Sequence, residues 1–276
     1  MAKETQKISE ILLGEAPKPR RNPKTVEGLK VYHKQLESQP TPEEKRKKDM
    51  AKLERRLQTI RSVGQKLEKL RQMVDIRAEQ RVLWNILLKI EPRFDKKNYD
   101  VKILYSILGW VWRIDSWNVL KLDYSKGLFL YGDIGRGKSM TLMLLRDYLK
   151  DVRTRHKEYC KSEYRFGTEW MSASMIANRY AADGLPGLDK LLKHDCCLFV
   201  DELGREPNPA SNYGTKMNVL QFLMQIRYDN RYSCVTHATT NLPLCEIETV
   251  YGKYIADRFL EMFNFIEFKG KSLRRP

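Results

Sequence analysis

The chain has 276 residues, 42% of them hydrophobic, with 51 Lys+Arg against 35 Asp+Glu and a formal net charge of +16. No stretch of about 18 apolar residues and no apolar N-terminal leader is present, which disfavours a membrane span or secretion and leads us to expect a cytoplasmic protein. The length fits one sizeable domain plus an extension, and the basic balance suits an anionic partner, nucleic acid before others.

The charge is uneven, since residues 1–100 hold 25 Lys+Arg and 15 Asp+Glu. Residues 1–40 read as a flexible basic arm. The run Gly14 to Lys24 carries three prolines and four cations, and proline can continue neither a helix nor a ladder. A helix is expected from Thr41, an N-cap followed by Pro42, Glu43 and Glu44. Its apolar positions, Met50, Leu53, Leu57, Ile60, Val63, Leu67, Leu70 and Val74, step by threes and fours into one narrow seam. Residues 41–95 are therefore read as a helical N-terminal region that binds a partner or DNA. The aromatics between 80 and 120 (Trp84, Phe94, Tyr99, Tyr105, Trp110, Trp112, Trp117) suit a local core that docks this region, ahead of a base-stacking surface.

From 96 onward the reading is an α/β domain with a parallel sheet flanked by helices. Strands are expected at Gly127–Tyr131, Phe166–Met171, Cys196–Val200 and Ser233–Thr240, and helices at Ser139–Lys150 and 215–228. The cysteines Cys160, Cys196, Cys197, Cys234 and Cys245 form no CxxC pair, so a zinc site is not expected, and buried thiols fit best.

Gly132-Asp133-Ile134-Gly135-Arg136-Gly137-Lys138-Ser139 matches G-x-x-x-x-G-K-[ST]. A chance match arises about once in a hundred chains of this length, and here a strand precedes it and a helix follows, as the chemistry requires. Glycines let successive N–H groups turn inward as an anion nest, and the helix beginning near Lys138, Ser139 and Met140 adds its positive dipole end. Lys138 supplies a cation for the β- and γ-phosphates of ATP, and the Ser139 hydroxyl is a ligand for Mg²⁺. An apolar strand then delivers Asp201 and Glu202 to its carboxyl end, where ligands bind in open α/β sheets. Asp201 is read as the second Mg²⁺ contact and Glu202 as the group that orients or deprotonates the attacking water. Asn241, after Thr239-Thr240, ends the next strand, where an amide can reach the γ-phosphate or that water from the side, or can simply form the turn before Leu242-Pro243.

These residues resemble the AAA+ branch that contains the DnaC/DnaI helicase loaders and the IstB transposition helpers, from about Leu122 to Arg274. Leu128 to Gly132 leads into the Walker A loop, and Leu198 to Gly204 resembles Walker B. Ile226-Arg227-Tyr228 and then Thr239 to Leu242 resemble the stretch into sensor 1. Ile255-Ala256-Asp257-Arg258-Phe259 resembles the segment carrying the arginine finger, and Gly270 to Arg274 the segment carrying a sensor 2 arginine. The resemblance implies that Arg258 reaches ATP bound by a neighbouring subunit of an ATP-dependent homo-oligomer, and that Arg274 touches nucleotide in its own subunit. Arg136 stands where the family has a small residue, and its side chain could meet phosphate or solvent.

The implied function is ATP hydrolysis coupled to loading or remodelling a replicative helicase on single-stranded DNA. The alternative is an IstB-like helper acting with a transposase on duplex DNA. A nucleotide-gated adaptor without turnover is disfavoured by Glu202, and a GTPase by the absence of an Asn-Lys-x-Asp motif.

Overall fold

The computed structural model describes residues 68–157, 168–192, 197–231 and 234–273, together with Ala51, Glu54 and Gln65. The expected arm, most of the apolar seam, Cys160, Cys196 and Arg274 lie outside the described residues. The elements below belong to one unit within residues 61–276. They are α1 Ile76–Ile90, α2 Val101–Trp112, β1 Gly127–Gly132, α3 Lys138–Arg155, β2 Thr168–Ser172, α4 Ala173–Asp183, β3 Cys197–Leu203, β4 Ala210–Asn212, β5 Thr215–Met217, α5 Val219–Asp229, β6 Thr236–Thr240, α6 Leu244–Tyr251, α7 Lys253–Met262 and β7 Phe263–Phe268.

Five strands form one parallel sheet in the order β2-β3-β6-β1-β7. Parallel strands are buried on both faces and so read as unbroken apolar runs. Side chains alternate between faces, so Leu128 and Leu130 enter one core with Leu142, Leu145 and Phe199, while Phe129 enters the other with Leu198, Val200 and Ala238. The chain leaves β1 for the far edge, returns through β3 to β6, and then crosses to β7 on the other side of β1. The strand order therefore reverses at β1, which is where a crevice opens at the carboxyl ends.

β7 was absent from the sequence reading. Its residues pair in register with all of β1, Gly127 with Phe263 through Gly132 with Phe268. The helix expected over 215–228 begins instead at Val219, because Asn218 caps it by accepting from the Gln221 N–H. Thr215–Met217 belongs to a β4–β5 hairpin turned at Tyr213 and Gly214, both at positive φ. Cys197 and Cys234 are buried, whereas Cys245 is exposed, against the expectation of buried thiols. No helix among the described residues is long and apolar enough to cross a membrane.

Helices α1 and α2 share the core that contains α3. The aromatics of this stretch pack edge to face, Trp84 on Phe94, Phe94 on Tyr99, and Tyr99 on Phe268 of β7. A buried polar chain fixes α1 to α3. Trp112 Nε1 donates to the Tyr148 hydroxyl (2.7 Å), which donates to Glu79 Oε2 (2.6 Å), and Arg155 donates through both terminal nitrogens to the two Glu79 oxygens (2.6 and 2.7 Å). Glu79 is 4% exposed, and both of its carboxylate oxygens accept hydrogen bonds, as burial of a polar group requires. Burial, reinforced by Glu79, pushes the Tyr148 hydroxyl well above its ordinary range. Burial does the same to Tyr251, whose hydroxyl donates to Glu206.

Replacing Glu79 with Ala removes the acceptor of the Tyr148 hydroxyl and of both Arg155 terminal nitrogens, leaving Arg155 its Asp151 pair, and is expected to lower unfolding free energy by about 2–3 kcal/mol, measured by denaturant titration. With Tyr148 and Tyr251 raised above the unfolded value of 10.0, their contribution is intact below that pH and is lost as pH rises toward the folded values. The denaturation midpoint should therefore fall above about pH 10, and Tyr148→Phe should flatten that fall.

Candidate nucleotide site

The loop after β1 is shaped by close approach. Gly132 sits at φ 111 with Phe268 O only 2.5 Å from where a Cβ would lie, and Gly135 at φ 79 with Ser272 Oγ at 2.2 Å. No side chain fits either position, and L-residues disfavour that backbone. Gly137, also at positive φ, precedes the first turn of α3. The loop and the first turn of α3 border a cavity of about 1230 Å³, toward which the positive end of the helix dipole lies. Its lining includes Ile134, Gly135, Arg136, Gly137, Lys138, Ser139 and Met140 from the loop and α3.

Lys138 is 6% exposed, and its ammonium donates to the carbonyls of Gly132 and Asp133, both at 2.7 Å. These bonds hold the cation inside the curl of the loop. Ser139 Oγ donates to Asp201 Oδ1 at 2.9 Å, so the two expected Mg²⁺ contacts, 62 residues apart, are brought together.

A regular strand would send Asp201 and Glu202 to opposite faces. Here β3 pairs Val200 with Ala238 and Leu203 with Thr240, which inserts one extra residue, and Glu202 takes φ 58. The bulge lets Asp201 meet Ser139 while Glu202 lines the cavity. Thr239 holds it in place. Its hydroxyl donates to Asp201 Oδ1 (2.5 Å) and accepts from the Glu202 N–H (2.9 Å). Asn241, at the end of β6, lines the same cavity. Glu202 Oε1 also accepts from Arg205 Nη1 at 2.9 Å, and Arg205 is a further lining residue.

Other site residues were missed by sequence reasoning. Phe94, Asn98 and Tyr99 form one wall and Lys271, Ser272 and Leu273 another. Tyr99 shares a 2.6 Å hydrogen bond with Thr141 Oγ1, which itself donates to Gly137 O. Tyr99 and Leu273 both approach Gly137. Nothing local in Phe94–Tyr99 signals this, because its placement depends on contacts distant in the chain, Tyr99 with Thr141 of α3 and with Phe268 of β7.

The Arg136 side chain takes a course that neither expectation named. Its Nε donates to Lys269 O (2.8 Å) and its Nη1 to Lys271 O (2.7 Å). Arg258 lies on α7 and is not among the residues lining this cavity. Its guanidinium stacks over Tyr228 (4.3 Å) and Tyr254 (3.7 Å), donates to the Tyr254 hydroxyl, and lies 3.9 Å from Asp229.

No protein-family model matches the chain, and no curated protein matches it. Among solved structures, its fold is similar to a DnaC helicase loader, with 16% identity and a TM-score of 0.42 over 65% of this chain and 96% of that one. It is also similar to domain III of the Thermotoga maritima replication initiation protein DnaA (11% identity, TM-score 0.37), over 63% of this chain and 65% of that one. A third is the Pif1 helicase from Candida albicans (14%, TM-score 0.33), over 62% of this chain and 40% of that one.

Thr239→Val keeps the shape of a buried side chain but removes the hydroxyl that joins Asp201 to Glu202. ATP turnover should fall by about tenfold or more with ATP affinity within about threefold, read from steady-state kinetics and equilibrium binding.

Proposed function

We propose that the chain is an ATP-hydrolysing AAA+ ATPase that acts with single-stranded DNA to load or remodel a replicative helicase. The observation that carries the nucleotide half is the convergence on one cavity of three separate strand ends: Lys138 and Ser139 after β1, Glu202 on β3, and Asn241 after β6. A Gly-rich turn alone binds nothing in particular; the same turn facing a carboxylate and an amide at hydrolytic positions has the parts of a phosphoryl-transfer site.

In this reading the loop N–H groups receive the phosphates and Lys138 neutralises charge that builds on the oxygens. Glu202 orients the attacking water and accepts its proton, and Asn241 fixes that water from the side. Catalysis is then mostly positioning and electrostatics. Ser139 and Asp201 would hold Mg²⁺, and a hydroxyl and a carboxylate oxygen 2.9 Å apart suit that hard cation. When bound, it supplies positive charge to the phosphate oxygens. Phe94, Tyr99 and Leu273 would face the nucleoside.

Arg258 is assigned to the ATP of a neighbouring subunit, as the motif resemblance implies. Its exclusion from its own cavity and its place on α7 support that role. Reaching a neighbour requires the guanidinium to leave the Tyr228 and Tyr254 rings, so the stack would hold it between engagements. The DNA half rests on the net charge of +16 and its bias toward residues 1–100. The helicase as partner rests on the motif resemblance.

ATPase rates with single-stranded DNA, duplex DNA and none, at fixed salt, test the reading. Single strands should stimulate; a duplex preference would favour the transposition-helper alternative. Lys138→Ala should abolish ATP binding or turnover, and unchanged activity would sink the site assignment. Arg258→Ala should bind ATP but not turn it over, and mixing it with Glu202→Gln subunits should restore part of the activity. Absence of any rescue would count against a shared site.

A further inference from the structure

We propose that Arg136 is a positioning residue that clamps residues 269–273 onto the phosphate-binding loop, so that loop and segment receive nucleotide as one wall. The inference rests on the ATP-site reading and adds a second, sequence-distant element to it.

The segment after β7 is gripped at successive points. The Asp133 N–H donates to Phe268 O (2.8 Å), and the Asp133 carboxylate accepts from the Gly270 N–H (2.8 Å). Arg136 spans the two flanking carbonyls, Lys269 O through Nε and Lys271 O through Nη1. The guanidinium lies against Gly270, with atoms 3.4–3.5 Å from where a Cβ would sit. The Leu273 N–H donates to Gly135 O (2.9 Å), while Ser272 fills the space a side chain at Gly135 would need. As a result Lys271, Ser272 and Leu273 line the cavity beside Lys138 and Ser139.

The chemistry fits a clamp better than a phosphate contact. A planar guanidinium holds its donors in fixed directions on separate nitrogens, and here the diverging Nε and Nη1 reach two carbonyls two residues apart; an ammonium gathers all its donors on one freely rotating atom and does not reproduce that fixed geometry. Three residues at variable positions of the loop motif, Asp133, Gly135 and Arg136, are thus specified by the segment they hold. Any movement of the loop on binding phosphate is transmitted to residues 269–273, and any displacement of that segment loosens the loop.

The test uses the full chain. Equilibrium binding of a fluorescent ATP analogue is measured beside the rate of Lys-C cleavage after Lys269 and Lys271, located by mass spectrometry, with and without ATP. In the wild type ATP should slow cleavage at these sites. Arg136→Ala should weaken binding about tenfold, as for loss of a charge-assisted hydrogen bond, speed cleavage, and remove the protection by ATP. Arg136→Lys should behave like Arg136→Ala, since it cannot fork. Rescue of affinity by Lys would overturn the clamp, because it would mean a direct charge contact with phosphate. Wild-type affinity and protection in Arg136→Ala would overturn it as well. If Arg136→Ala does not fold, Asp133→Ala, which frees the same segment at Gly270, decides by the same two readouts. Lys138→Ala alongside separates the failures. If it binds ATP normally, the nucleotide-site reading falls; if it is inert while Arg136→Ala is unchanged, only the clamp falls.

Discussion

The central strand β1 is confined on both edges, and the site follows from that confinement. At its start, Thr236 O of β6 lies 1.7 Å from where a Gly127 Cβ would be; at its end, Phe268 O of β7 lies 2.5 Å from the corresponding point at Gly132. The strand therefore enters and leaves the sheet through glycines. The second of these takes a positive φ and begins the glycine-rich loop that leads into α3. Because β6 and β7 flank β1, Asn241 and residues 269–273 arrive on either side of that loop, the latter held there by Asp133, Gly135 and Arg136.

Around this strand, short polar contacts shape the end of the sheet beside the cavity. Thr239 joins the Asp201 carboxylate to the backbone of Glu202, and Asp201 in turn joins Ser139 on the neighbouring helix. These bonds brace the bulge, and the bulge is what lets Asp201 meet Ser139 while Glu202 lines the cavity. On the other side of α3, Glu79, Tyr148, Trp112 and Arg155 make α1 and α2 part of the same rigid body. A helix so anchored gives Tyr99 a fixed place beside Gly137.

The positions of the two arginines illustrate how side-chain chemistry is decided by neighbours. Arg136 sits inside the loop motif yet spends its donors on backbone carbonyls of a segment 133 or more residues away. Arg258 sits far from its own cavity and rests on tyrosine rings, a geometry that keeps a cation stable at a partly dry surface.

The sequence by itself determined the α/β class, the strand–loop–helix around Lys138, and the carboxylates at the end of β3. Each of these is written in local pattern: an apolar run, a glycine spacing, a charge that ends a buried strand. It missed β7, whose alternating Phe-Asn-Phe-Ile-Glu-Phe is too short to distinguish from a buried turn until β1 pairs with it. It started α5 too early, because the cap at Asn218 and the turn at Tyr213-Gly214 outweigh the helical spacing that precedes them. Only the tertiary structure decided that Phe94, Tyr99 and Leu273 line the cavity, that Thr239 bonds both to Asp201 and to the Glu202 backbone, and that Arg136 bonds to the carbonyls of Lys269 and Lys271. All of these are contacts between residues distant in the chain. Their free energy comes from packing and hydrogen bonds that exist only once the sheet has closed around β1.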